Sequence, residues 1–351
     1  MSFVAFVIRG DLEGLADWIA SCSETAGAVE MLAFRHRAGP WLAQSLAGTG
    51  AWAALPAACR ERLTRSADLQ AAATRECMAH LRELDTTLAR LDVPYVLLKG
   101  PELGARFFGS PLARGYRDLD LLVTEEHGDE VCVALERAGH WRLSRWLLGA
   151  RASARFVHAV DYRHGGRLLD LHWCVSRVPG VRTRTTDLFS RADLLELDGM
   201  AVRVLSREDE LSLLLISAFA DIQRGYLRLQ SLVDIAHVAA APPDLAWVDF
   251  LRSRGPEGTR SMCEAVLALM AALFRGDGDA AAFGTDVSRL MAPREALAVL
   301  LPSPGGCAAK YWALRHLPVG PLHYAAWWTI SLPFRLAASH PLFRRVHPDD
   351  R

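Results

Sequence analysis

Lysine is nearly missing from this chain: Lys99 and Lys310 are the only two in 351 residues, although lysine and arginine together number 40. Arginine therefore carries almost all the positive charge, and 40 acidic residues balance it to a formal net charge of zero. That balance removes the broad electropositive field with which a protein grips a nucleic-acid backbone, so nucleic acid is an unlikely partner. The seven cysteines, at 22, 59, 77, 132, 174, 263 and 307, show no Cys-x-x-Cys or Cys/His ligand spacing. Zinc and a disulfide framework are both disfavoured by that pattern, which fits a reducing cytoplasm. No run reaches the ~18 uninterrupted apolar residues of a membrane span. The nearest candidate, 322–338, is broken by His323, Pro333 and Arg335; with Trp327 and Trp328 it reads as completing a core rather than resting on a membrane or a partner. The amino terminus, MSFVAFVIRGDLEG, lacks the basic lead and long apolar stretch of a secretory signal.

Periodicity divides the rest. Residues 1–92 read as helices, including a long arginine-rich amphipathic stretch from Ala57 to Leu91. Residues 93–205 alternate between strand and helix and close in a hairpin turned at Asp198-Gly199. From Ser206, which opens a Ser-x-x-Asp helix start with Asp209, residues 206–351 read helical with breaks at Pro242-Pro243, Gly255-Pro256 and 303–306. Loops are expected at 276–278 and 302–306. The expectation is an α+β protein in which a small mixed sheet is flanked by amino- and carboxy-terminal helical lobes, with a cleft between sheet and helices. Asp221, Arg224, Arg228 and Asp234 read as a solvated helical face, or as groups projecting into that cleft.

The chemistry concentrates between Tyr95 and Asp120, YVLLKGPELGARFFGSPLARGYRDLD. A short apolar strand runs into Lys99-Gly100-Pro101, and proline suits the first position of a helix. A helix start presents unpaired N–H groups and partial positive charge, and a glycine lets a phosphate oxygen approach the backbone. Lys99 adds a full charge there, although a lysine at a strand end also reads as a side chain reaching for solvent. Asp118 and Asp120 then alternate with Leu119, Leu121, Leu122 and Val123. Side chains two apart on a strand share a face at roughly 6.5–7 Å, which suits two carboxylates converging on a hard cation. Pairing of those acids with Arg114 and Arg117 is the plainer alternative.

Downstream, Gly165-Gly166 separates two alternating runs, a strong hairpin signal. In the second run Leu168, Asp170 and His172 share one face. If that face meets Asp118, Asp170 becomes a third carboxylate, and one of the three can serve as general base. His172 reads as a core or supporting group.

These residues carry a resemblance. From Val93 to about Val175 the chain resembles the uncharacterised nucleotidyltransferase family of the DNA polymerase β-like superfamily. The matching pattern is Leu97-Leu98-Lys99-Gly100, Arg114 to Val123, a helix closing at Gly139, and Leu169 to Trp173. Lys99-Gly100 stands where the superfamily more often has Gly-Gly or Gly-Ser. The resemblance implies a nucleotidyltransferase core that moves a nucleoside monophosphate from an NTP to an acceptor and releases pyrophosphate. It also implies two Mg²⁺ held by Asp118, Asp120 and Asp170, and nucleotide contacts from Lys99, Gly100, Arg114, Arg117 and His172. The zero net charge points to a small-molecule or peptide/protein acceptor, and the resemblance to accessory proteins of bacterial natural-product pathways. Other readings are a non-catalytic accessory protein on the same fold, a glycosyltransferase with Asp118-Leu119-Asp120 as its metal motif, and a toxin that modifies transfer RNA.

Overall fold

The computed structural model describes residues 6–7, 11–21, 25–30, 33, 36–143, 156–224, 227–274, 313 and 317–339. Lys310, Cys22, Cys307 and the loops expected at 276–278 and 302–306 lie outside the described residues. The chain opens with helices α1 (Leu12–Ser21), α2 (Thr25–Glu30), α3 (Gly39–Leu46), α4 (Gly50–Ala54) and the 33-residue α5 (Ala57–Ala89). Then come β1 (Val96–Leu98), α6 (Pro101–Phe107), β2 (Asp118–Leu122), α7 (Gly128–Arg137), β3 (Trp141–Arg142), β4 (Ala159–His164) and β5 (Arg167–His172). A short α8 (Thr185–Ser190) leads to the hairpin β6 (Asp193–Leu197) and β7 (Met200–Val204). Helices α9 (Arg207–Gln223), α10 (Leu229–Ala240), α11 (Trp247–Ser253), α12 (Arg260–Phe274) and α13 (Pro321–Ser339) complete the order. This is the expected α+β arrangement.

The seven strands form one mixed sheet in the order β3-β4-β5-β2-β1-β7-β6. β1 and β2 sit near its centre, where Val96, Leu97, Leu98, Leu121 and Leu122 are buried; β1 reads as an apolar run, while β2 alternates Asp118 and Asp120 with buried Leu119 and Leu121. β2 lies parallel to β5 and antiparallel to β1. Local chemistry sets the junctions. Asp198 and Gly199 both take positive φ in the β6–β7 turn, and the Ser206 hydroxyl caps α9 by accepting from the Asp209 N–H at 3.2 Å.

Two large apolar cores result. One is helical and joins Leu15, Trp41 and Leu63 of the amino-terminal helices to Leu215, Phe219, Val233 and Leu267 of the carboxy-terminal ones. The other lies against the sheet and takes Met78, Leu81, Leu84 and Leu88 from α5 together with Leu119, Leu169 and Tyr162. Helix α5 is thus a member of both.

Polar pins hold the bodies together. Trp41 donates its indole N–H to Nε2 of His237 at 3.1 Å, while His237 donates from Nδ1 to the Phe107 carbonyl at 3.2 Å and stacks on Phe108. Asp209, buried at the start of α9, takes Arg191 and Arg254 together. A Cβ on Gly258 would lie 1.9 Å from the Gly180 carbonyl oxygen, so the loop before α12 closes on the 178–182 segment only with glycine there. The 322–338 stretch forms most of α13, yet it does not simply complete a core: Trp328 and Ile330 are exposed. No helix among the described residues is long and apolar enough to cross a membrane.

Candidate active site

The sheet register assembles the acids. Asp120 on β2 pairs with Asp170 on β5, and Asp170 pairs in turn with Asp161 on β4. Three carboxylates therefore lie in a row across three adjacent strands, and Asp118, two residues before Asp120, lies on the same face. All four line a cleft of about 1070 Å³. The hairpin face and the Asp118 face meet as their alternation predicts, and Asp170 joins Asp120.

The closest set of candidate ligands among the described residues is Asp120, Asp170 and His172, whose donor atoms lie within 4.8 Å of one another. Asp118 lines the cleft outside this set. His172 stands as a supporting group beside the acids: its Nε2 donates to Asp120 Oδ1 at 2.9 Å, while its buried Nδ1 has no hydrogen-bond partner. Electrostatics separates the two central acids. Burial works to raise the Asp120 carboxyl, but the His172 hydrogen bond and the Lys99 charge outweigh it and hold Asp120 below its ordinary range. Burial, then the charges of Asp120, Asp161 and Asp118, push Asp170 well above its ordinary range. Four acids crowded on one face leave Asp170 short of positive charge, and a hard cation with oxygen ligands relieves that shortage.

The Lys99-Gly100 turn forms as the sequence indicates. β1 ends at Leu98, Lys99 and Gly100 both take positive φ, and Pro101 opens α6. Positive φ at a lysine is uncommon, and such backbone strain concentrates at functional sites. Lys99 Nζ donates to Ser217 Oγ at 3.0 Å, which ties the turn to α9. Lys99 and Gly100 both line the cleft.

The two arginines expected beside the acids go elsewhere. Arg114 is buried and forms a bidentate pair with Asp234 through Nε at 2.9 Å and Nη2 at 2.8 Å. Its fork is thus engaged by a carboxylate 120 residues away, although Arg114 still borders the cleft. Arg117 is exposed and does not line the cleft. Asp234 is correspondingly buried rather than solvated, while Asp221 and Arg224 form a local pair at 3.3 Å on the cleft wall. Lys99 and, from its pair with Asp234, Arg114 supply positive charge to Asp120, and Arg37 and Arg228 line the same cleft together with Gln230 and Ser231. Tyr324, Trp327 and Trp328 of α13 form an aromatic part of the wall, and Gln223 donates to the Tyr324 hydroxyl oxygen at 2.7 Å.

The chain belongs to the uncharacterised nucleotidyltransferase family, whose model matches residues 25–275. That membership displaces the glycosyltransferase reading of Asp118-Leu119-Asp120. The fold is similar to that of the antibiotic-resistance factor ANT(2'')-Ia in solution, at 16% identity over 55% of this chain and 92% of that one, with a TM-score of 0.34. A crystal structure of ANT(2")-Ia in complex with adenylyl-2"-tobramycin matches at 14% identity over 54% of this chain and 97% of that one, with a TM-score of 0.36. No curated protein matches the chain in sequence.

Proposed function

We propose that the protein transfers a nucleoside monophosphate from an NTP to a hydroxyl-bearing small molecule or peptide/protein, releasing pyrophosphate. The observation that carries this reading is the Asp120–Asp170 register beside the Lys99-Gly100 turn, both open to one cleft in a member of a nucleotidyltransferase family. In the reaction the acceptor oxygen forms a bond to the α-phosphorus, the bridge to the β-phosphate breaks, and pyrophosphate leaves.

The donor set suits Mg²⁺: Asp120 and Asp170 supply hard oxygens, with Asp118 on the same face of the cleft as a further carboxylate, and Asp170 is buried and crowded by like charge. Bound there, one or two such ions supply positive charge to the phosphate oxygens and orient the reacting groups. The chain's own residues do the rest. Lys99 and the Gly100 backbone meet the phosphates, Ser217 fixes the lysine, and His172 orients the Asp120 carboxylate through its Nε2 hydrogen bond. A carboxylate of the row accepts the proton of the attacking hydroxyl.

Incubation with α-labelled NTPs, Mg²⁺ and an acceptor panel, read by mass spectrometry, tests the proposal. Label should appear in an acceptor, and Asp120→Asn or Asp170→Asn should lower the rate by about 10³-fold or more, as expected for loss of a group acting in the transition state. Labelled product formed equally well by the double variant overturns the assignment.

A further inference from the structure

Two residues far from the acidic motif bring positive charge to the same cleft, and three observations converge on them. Arg37, from the loop before α3, and Arg228, the residue before α10, both line the cleft that holds Asp118. Their neighbours are joined: the Leu229 N–H donates to His36 Nδ1 at 3.3 Å, so the two arginines sit beside the two ends of one hydrogen bond. The chain holds Arg37 there through a close backbone approach. A Cβ on Gly115 would lie 2.6 Å from the Arg37 carbonyl oxygen, so only glycine lets the segment before β2 pass under this loop.

Arg37 is held in a strained and partly repelled setting. Arg37 takes a positive φ of 57°. Burial, then the charge of Arg228, lowers its guanidinium from the ordinary range, and Arg117 and Arg114 add to that repulsion while Asp118 opposes it. Like charges kept side by side over a cleft are stabilised by a multivalent anion, and guanidinium forks match phosphate oxygens in pairs. The 12-residue α10 begins at the same place, its Leu229 N–H held by His36, and Gln230 and Ser231 of its first turn also line the cleft.

We propose that Arg37 and Arg228, with the first turn of α10, form a clamp for the outer phosphates of the bound nucleoside triphosphate, opposite Lys99 and Gly100. This rests on the nucleotidyltransferase reading of the same cleft, and it adds the specificity for a triphosphate over a monophosphate. It also gives the amino-terminal helices a part in the site.

The test is calorimetric and needs no acceptor. Inorganic tripolyphosphate, ATP and AMP are titrated with Mg²⁺ into the full chain and into Arg37→Gln, Arg228→Gln and the double variant, with melting temperature as the check on folding. The expected result is at least a tenfold loss of tripolyphosphate and ATP affinity in each single variant, with AMP affinity changed less than twofold. Because Arg228 immediately precedes α10, wild-type protein is also titrated against salt as a control independent of that helix; tripolyphosphate affinity should fall steeply with ionic strength while AMP affinity falls less. Unchanged ATP affinity in folded variants overturns the clamp, and so does loss of tripolyphosphate alone with ATP retained, which would assign the arginines to a phosphate on the acceptor. If the clamp behaves as expected but no NTP labels any acceptor, the transfer reading fails and the polyphosphate site stands.

Discussion

At the scale of single residues the most consequential pair is Arg114 with Asp234. Removing one member of a buried ion pair strands the other charge, at a cost of about 3–5 kcal/mol. Asp234→Ala should lower the urea midpoint accordingly, and Arg114→Met with Asp234→Leu should recover most of the loss. Asp161 offers a second case. It stands beside Asp170 and opens to the same cleft, so Asp161→Asn should slow transfer by about 10–100-fold, the usual effect of a supporting group, while tripolyphosphate affinity stays within twofold. The fully buried Glu102 gives the opposite kind of result. Burial, then the charge of Glu210, pushes its carboxyl well above the ordinary range, despite Arg106 at 3.5 Å. The native state keeps a proton that the unfolded chain releases above about pH 4.5, so this group's contribution is lost as pH rises toward its native value. Glu102→Gln should therefore be near neutral at low pH and relatively stabilising in alkaline buffer, as measured by denaturant unfolding across pH.

At the scale of elements, the edge where α5 meets the end of α7 and β4 carries three stacked imidazoles. His140 donates from Nδ1 to the Leu135 carbonyl at 3.2 Å, so its Nε2 accepts from His80 Nε2 at 2.9 Å, and the His140 and His164 rings lie 4.5 Å apart. Burial is the main reason that His80 is pushed down to about 3 and His140 to about 4, with neighbouring imidazoles adding to it. Both are neutral in folded and unfolded chains above about pH 6.5. Below that, the unfolded chain takes up protons that the native chain refuses, and each histidine removes up to about 1.4 kcal/mol per pH unit until its native value is reached. His80→Leu/His140→Leu should flatten the loss of stability between pH 6.5 and 4 relative to wild type; an unchanged slope would show that other groups dominate. This same scale shows what a reader of the chain alone could recover. The parallel β2–β5 register that brings Asp170 to Asp120 joins strands distant in sequence, but period-two alternation and the Gly165-Gly166 turn suffice to put Asp170 on one face with His172. They also contain Asp161, since a two-residue turn pairs His164 with Arg167 and hence Asp161 with Asp170. Arg37 and the pairing of Arg114 with Asp234 are not legible, because each arises only through packing between segments distant in sequence, whereas Arg228 and Asp234 do line the cleft as the second reading of that helical face has it.

At the scale of the whole molecule, the amino-terminal helices are bound to the sheet as firmly as to the carboxy-terminal ones. Met78, Leu81, Leu84 and Leu88 of α5 are buried against the strands, so a fragment spanning 93–205 exposes the face they cover. Such a fragment should bind 8-anilinonaphthalene-1-sulfonate and show no cooperative melt, whereas one beginning at Ala57 should be more ordered by near-ultraviolet circular dichroism. Helix α5 has a further effect. At 33 residues it is a rod of about 50 Å whose apolar residues enter both the helical core and the sheet core. Pulling those two cores apart would bend a continuous backbone ladder, so α5 braces them like a common beam.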